Sequence, residues 1–112
     1  MKVSKPVTCP VDRLCHYVND RTAFVILQRL SEKKIRRFSD LVTDVGETST
    51  RTLTKRLREL EACGMILRKS YREAPPRVEY SLTPSGRAFK KVLHAMATWS
   101  RTYLPKKKAI AA

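Results

Sequence analysis

Apolar residues recur at helical spacing through most of this chain, and the spacing gives way to alternation in one stretch past the middle. Pro10, whose missing N–H is no loss in a first turn, precedes Val11, Leu14, Cys15 and Val18 and predicts a helix. Asn19-Asp20 closes that segment and can cap the next, where Phe24, Ile26, Leu27 and Leu30 predict a helix over 22–30. Ser31-Glu32-Lys33-Lys34 reads as a charged connector. Phe38, Leu41, Val42 and Val45 predict a short helix ending near Gly46, where a left-handed backbone has no steric cost.

The clearest pattern lies between Ser49 and Cys63. Thr48, Ser49 and Thr50 supply hydroxyls for an N-cap, and Leu53, Leu57 and Leu60 recur at i, i+4 and i+7 before Gly64 stops the helix. Arg51, Lys55 and Arg58 fall on the opposite side, so one face reads as core and the other as cationic. After Gly64, Met65 to Tyr71 loses the helical period. Val78, Tyr80 and Leu82 then alternate with Arg77, Glu79 and Ser81, as in a half-buried strand. Pro75-Pro76 cannot donate to a ladder and suits the tip of a hairpin. Together these predict one two-stranded ribbon, which must lie against helices to be stable. Thr83-Pro84 opens a last helix whose stripe of Phe89, Val92, Leu93, Met96, Trp99 and Tyr103 exceeds what a small core needs. Such a stripe predicts a subunit contact.

The chain has 112 residues, 42% of them hydrophobic, which is enough for one compact domain. The expected division is a loose N-terminal arm over 1–8, a domain over 9–104 with its dimerisation helix at 84–104, and a basic disordered tail over 105–112. Lys and Arg number 24 against 10 Asp and Glu, a formal charge of +14. So large an excess repels itself unless a polyanion, or a membrane carrying anionic lipid, relieves it, and nucleic acid is the expected partner. It is concentrated late: Arg68, Lys69, Arg72, Arg77, Arg87, Lys90 and Lys91 meet only Glu73 and Glu79, and Lys106-Lys107-Lys108 meets no acid. The longest apolar run, Ala23 to Leu27, is far short of the roughly 20 residues of a spanning helix, so no membrane is expected. With no apolar signal core and three cysteines, the expectation is a reduced, cytoplasmic, nucleoid-associated protein.

The order of elements predicts a mainly α, α+β fold: a winged helix-turn-helix with a two-stranded wing and a long C-terminal helix. A helix enters the major groove of DNA when its outer face carries donors and its inner face is anchored in a core. The candidate DNA contacts are Arg37, Ser49, Thr50, Arg51, Thr54, Lys55 and Arg58, with Lys69, Arg72 and Arg77 from a wing over 68–80. The predicted function is sequence-specific binding of double-stranded DNA by a dimer, with helix 49–63 in the major groove. A protein-interaction or nonspecific nucleic-acid-binding module is the alternative. RNA is disfavoured, since Tyr71 is the main aromatic placed on the ribbon for base stacking. No enzyme is expected: the three glycines form no phosphate-cradling loop, and no nucleophile elbow or paired-carboxylate motif occurs. No cofactor is expected either, and no metal, because Cys9, Cys15 and His16 match no common zinc spacing.

Cys9-Pro10-Val11, Arg37-Phe38-Ser39-Asp40-Leu41, Leu53 to Glu61 with Gly64, and above all Pro75-Pro76-Arg77-Val78-Glu79-Tyr80-Ser81-Leu82-Thr83 with Gly86 are specific in combination. Over about residues 9–99 the chain resembles the HxlR-type winged helix-turn-helix transcriptional regulators. That resemblance implies a homodimer joined by its N- and C-terminal helices on an operator of two half-sites. Cys9 stands at the position of the family's N-terminal cysteine, which in some members senses oxidants, so the resemblance makes Cys9 the candidate redox sensor. One departure stands out: where members usually carry two glycines, a lysine and a tryptophan, this chain has Asn19-Asp20-Arg21-Thr22.

Overall fold

A computed structural model describes residues 9–106. Its elements run α1 (Pro10–Cys15), α2 (Arg21–Glu32), β1 (Arg36–Arg37), α3 (Phe38–Val45), α4 (Thr50–Ala62), β2 (Ile66–Tyr71), β3 (Arg77–Leu82), α5 (Pro84–Ala88) and α6 (Lys90–Tyr103). The winged helix-turn-helix expected from the sequence is present: α3 and α4 form the helix pair, and the β2–β3 hairpin follows as the wing. The arm at 1–8 and the lysines from Lys107 onward lie outside the described residues, whereas Pro105 and Lys106 are exposed.

Ala23, Ile26, Leu27 and Leu30 of α2, Leu41 and Val45 of α3, and Leu53, Leu57 and Leu60 of α4 converge on one buried cluster. Ile66, Tyr80 and Leu82 close it from the sheet. The leucines of α4 are at most 2% exposed, so the helix is anchored along its whole inner seam. Removing that much hydrocarbon from water contributes about 1.5–3 kcal/mol per side chain.

Four details differ from the expectation. The sheet has three strands, not two, in the order β1-β3-β2, and both pairs are antiparallel. β1 is only two residues long, too short to show any alternation. It is held by pairing Arg36 with Tyr80 and Arg37 with Glu79, and by the Arg36 guanidinium gripping the Asp44 carboxylate of α3. Second, α2 absorbs Ser31 and Glu32 of the expected connector. Third, α1 ends at Cys15 and buries no residue, although Val18 beyond it is in the core.

Fourth, the last helix divides at Phe89, and Phe89 itself is a core residue, 9% exposed. It therefore faces inward and is removed from the expected outward stripe. Leu93 is half-buried against the same core. The turn from β3 into α5 is built by Thr83, whose hydroxyl accepts the Gly86 N–H while donating to the Gly64 carbonyl. Gly86 packs so closely on the Met65 carbonyl that a side chain has no room. No described helix is long and apolar enough to cross a membrane.

Candidate nucleic-acid interface

Ser49 caps α4 by accepting the Thr52 N–H at 3.1 Å, and its own proton is directed to the Thr52 hydroxyl. The cap fixes where the helix starts, but it also occupies the Ser49 hydroxyl that the sequence offered as a DNA donor. Thr50 is exposed on the first turn, which carries no acidic residue, so the helix dipole there favours an anion.

Arg51, Lys55 and Arg58 are exposed on the face opposite Leu53, Leu57 and Leu60. None of the three has an ion-pair partner among the described residues. Nothing in the described chain covers that face. Arg56, one position from Lys55, behaves differently. It turns toward α2, where its Nε–H reaches the Asp20 carboxylate at 2.6 Å, and it also meets Glu59 at 3.3 Å.

Between α4 and the wing runs an open groove lined by Arg37, Thr54, Arg58, Arg68, Pro75 and Pro76, with Glu61 the acidic group on its wall. Arg68 was not among the residues singled out from the sequence. Its position could have been found from strand period: it lies opposite Tyr80, whose side chain is buried, and so shares the face of the sheet turned to the helices. Lys69 lies opposite Glu79 on the other face, in the row Arg37–Glu79–Lys69. The groove therefore gathers Arg37, Thr54 and Arg58 of the expected set, and Arg77 lines it as well. Lys69 stands apart from them, and Arg72 is exposed near the wing tip.

Arg77 is engaged within the wing. Its guanidinium lies 3.9 Å from the Tyr71 ring centroid and pairs with Glu73 at 3.1 Å. Its Nε sits 3.3 Å from Glu79 but off the hydrogen-bonding line, an ion pair without a well-aligned bond. Lys69 Nζ is 5.2 Å from the same ring. Arg77 thus stiffens the hairpin and is less free to contact DNA than its position in the sequence suggested.

Along α6, Val92, Met96, Trp99 and Tyr103 are 41–68% exposed, and Trp99 and Tyr103 pack ring to ring at 5.5 Å. Leu104, Val11 and Tyr17 are exposed apolar residues absent from the expected stripe. Cys9 is exposed at the start of α1, and Cys15 is exposed too. Cys63, half-buried, has its thiol pushed up by burial and is not poised as a thiolate.

The model of the HxlR-like helix-turn-helix family matches residues 17–108. The chain belongs to that family. YtfH of Escherichia coli K12, an HTH-type transcriptional regulator, is 37% identical over 102 residues, which cover 91% of this chain and 80% of YtfH. A MarR-family transcriptional regulator from Porphyromonas gingivalis W83 has the same fold, with a TM-score of 0.80 at 30% identity over 93% of this chain and 100% of that one. The oxidized form of the redox regulator HypR has a TM-score of 0.78 at 30% identity over 88% and 100%. The HxlR-like proteins are transcriptional regulators and not enzymes. Thr22, in the segment that departs from the pattern expected on resemblance, is buried and hydrogen-bonded to Thr48 at 3.1 Å.

Proposed function

We propose that the chain is a homodimeric regulator that reads double-stranded DNA of defined sequence, placing α4 in the major groove and the wing on the flanking backbone or minor groove. The observation that carries this reading is the unobstructed face of Arg51, Lys55 and Arg58 backed by a fully buried leucine seam. Arg58, Thr54 and Lys55 point to base edges, while Thr50 and Arg51 at the helix start, with Arg37, Lys69 and Arg72, suit phosphates. Arg68 joins the phosphate set because of its place in the groove. Such a protein works where the chromosome is, in the cytoplasm at the nucleoid.

The exposed apolar side of α6 supports pairing of two copies, through Val92, Met96, Trp99 and Tyr103, with Leu93 beneath them. Two copies place two recognition helices on two half-sites about one helical turn of DNA apart. Selection of bound duplexes from a random pool, with sedimentation of the protein alone and on the selected site, tests both points. A symmetric consensus bound by two copies is expected. Binding to every sequence alike, abolished by salt, overturns the reading in favour of nonspecific attraction.

A redox role for Cys9 rests on its exposure and on the likeness to HypR. Cys9→Ser is expected to keep its grip on DNA under an oxidant that releases the wild type; equal release from both ends that idea.

A further inference from the structure

Three consecutive residues at the start of α2 each hold a different part of the helix-turn-helix. Asp20 accepts the Arg56 Nε–H of α4 at 2.6 Å. Arg21 donates through Nη1 to the carbonyl of Val45, the last residue of α3, at 2.9 Å. Thr22 shares a hydrogen bond with Thr48, in the turn between the two helices, at 3.1 Å. Thr22 is 6% exposed, the one buried polar residue among those described, so its hydroxyl depends on that partner. The core does not need these contacts to form, because Ala23, Ile26, Leu27 and Leu30 already bury the apolar side of α2. Apolar packing is non-directional, and these three bonds are directional. They define the angle at which α4 leaves the body.

We infer that Asp20, Arg21 and Thr22 are positioning residues for sequence reading, acting through the pose of α4 without touching DNA. This rests on the proposed placement of α4 in the major groove. Hydrogen bonds to base edges tolerate little displacement, whereas attraction to phosphates persists when a helix tilts. Loosening the first turn of α2 therefore lowers discrimination between sequences and spares affinity for DNA in general.

The test uses the full chain, its selected duplex and a random duplex at one salt concentration. Asp20→Asn keeps a side-chain oxygen for the Ala23 N–H and removes the charge that holds Arg56. Thr22→Val is close to isosteric and removes the bond to Thr48; it answers the same question if Asp20→Asn fails to fold. Each is expected to lower the ratio of specific to random affinity about tenfold, the readout of roughly one base pair, with random affinity and salt slope unchanged. A wild-type ratio in both variants overturns the inference, and so does a lowered melting temperature with that ratio intact. If the wild type itself selects no sequence, the placement of α4 fails before any variant is compared, and this inference falls with it.

Discussion

The Asp20 carboxylate does two jobs with its two oxygens: Oδ1 accepts the Ala23 N–H at 3.0 Å and Oδ2 accepts the Arg56 Nε–H at 2.6 Å, 36 residues away. The first contact starts α2, and the second ties that start to α4. Partial burial opposes the charged form, but the bonds from Ala23 and Arg56 outweigh it and hold the carboxyl below its ordinary value of 3.8. Because the folded pKa is depressed, the stabilisation is present above that ordinary value and is lost as pH falls through the folded one. Glu32, held by Gln28 and Arg29, shifts in the same direction. Urea unfolding of the wild type is therefore expected to show stability falling below about pH 4, with a shallower fall in Asp20→Asn. Asp20→Ala, which also loses the cap, is expected to cost about 1–2 kcal/mol at neutral pH.

Gly86 permits α5 to lie on the turn that follows α4. A Cβ there would overlap the Met65 carbonyl and approach Leu82 Cδ2 at 2.9 Å. The Met65 carbonyl cannot move away easily, since it also accepts the Thr83 N–H at 3.0 Å. Gly86→Ala is expected to destabilise by about 3 kcal/mol, read as a lowered denaturation midpoint. An unchanged midpoint contradicts the packing described.

Arg58 and Lys69 are predicted to separate by the way they fail. Arg58→Ala is expected to cost about 1–3 kcal/mol on the selected duplex and to relax preference at one position. Lys69→Ala is expected to weaken all duplexes alike and to reduce the salt slope by about one unit. Titrations of both duplexes at several salt concentrations decide it, and equal losses from both variants refute the division.

Phe89 and Trp99 share one apolar stripe in the sequence yet are predicted to act differently. Phe89→Ala opens the core and is expected to cost about 3–5 kcal/mol of folding stability at any protein concentration. Trp99→Ala, at a 53% exposed position, is expected to leave the monomer's fold intact and to shift dissociation of the proposed dimer to higher concentration. Sedimentation across a dilution series, with denaturation measured beside it, distinguishes them.

Much of this protein is legible in its sequence. The α4 helix could be read because three leucines at i, i+4 and i+7 oppose three cations, and the wing because the period changes at Gly64 and again at Thr83. β1 could not, since two arginines carry no period and become a strand only by pairing with Glu79 and Tyr80. Nor could the fates of neighbouring arginines. Arg56, Arg58, Arg68 and Arg77 are the same residue type on the page of the sequence. Arg56 is held by Asp20 and Arg77 stacks on Tyr71, while Arg58 and Arg68 line the groove with no ion-pair partner among the described residues.

Local spacing, caps and the change of period thus determined the kind and order of the elements, and the charge balance the class of partner. These are properties of residues a few positions apart. Which cations remain free, which apolar side chains face out along the last helix, and how α2 grips the helix-turn-helix depend on groups brought together from distant parts of the chain. Only the packed core, by setting the distance between Asp20 and Arg56 or between Gly86 and Met65, decided them.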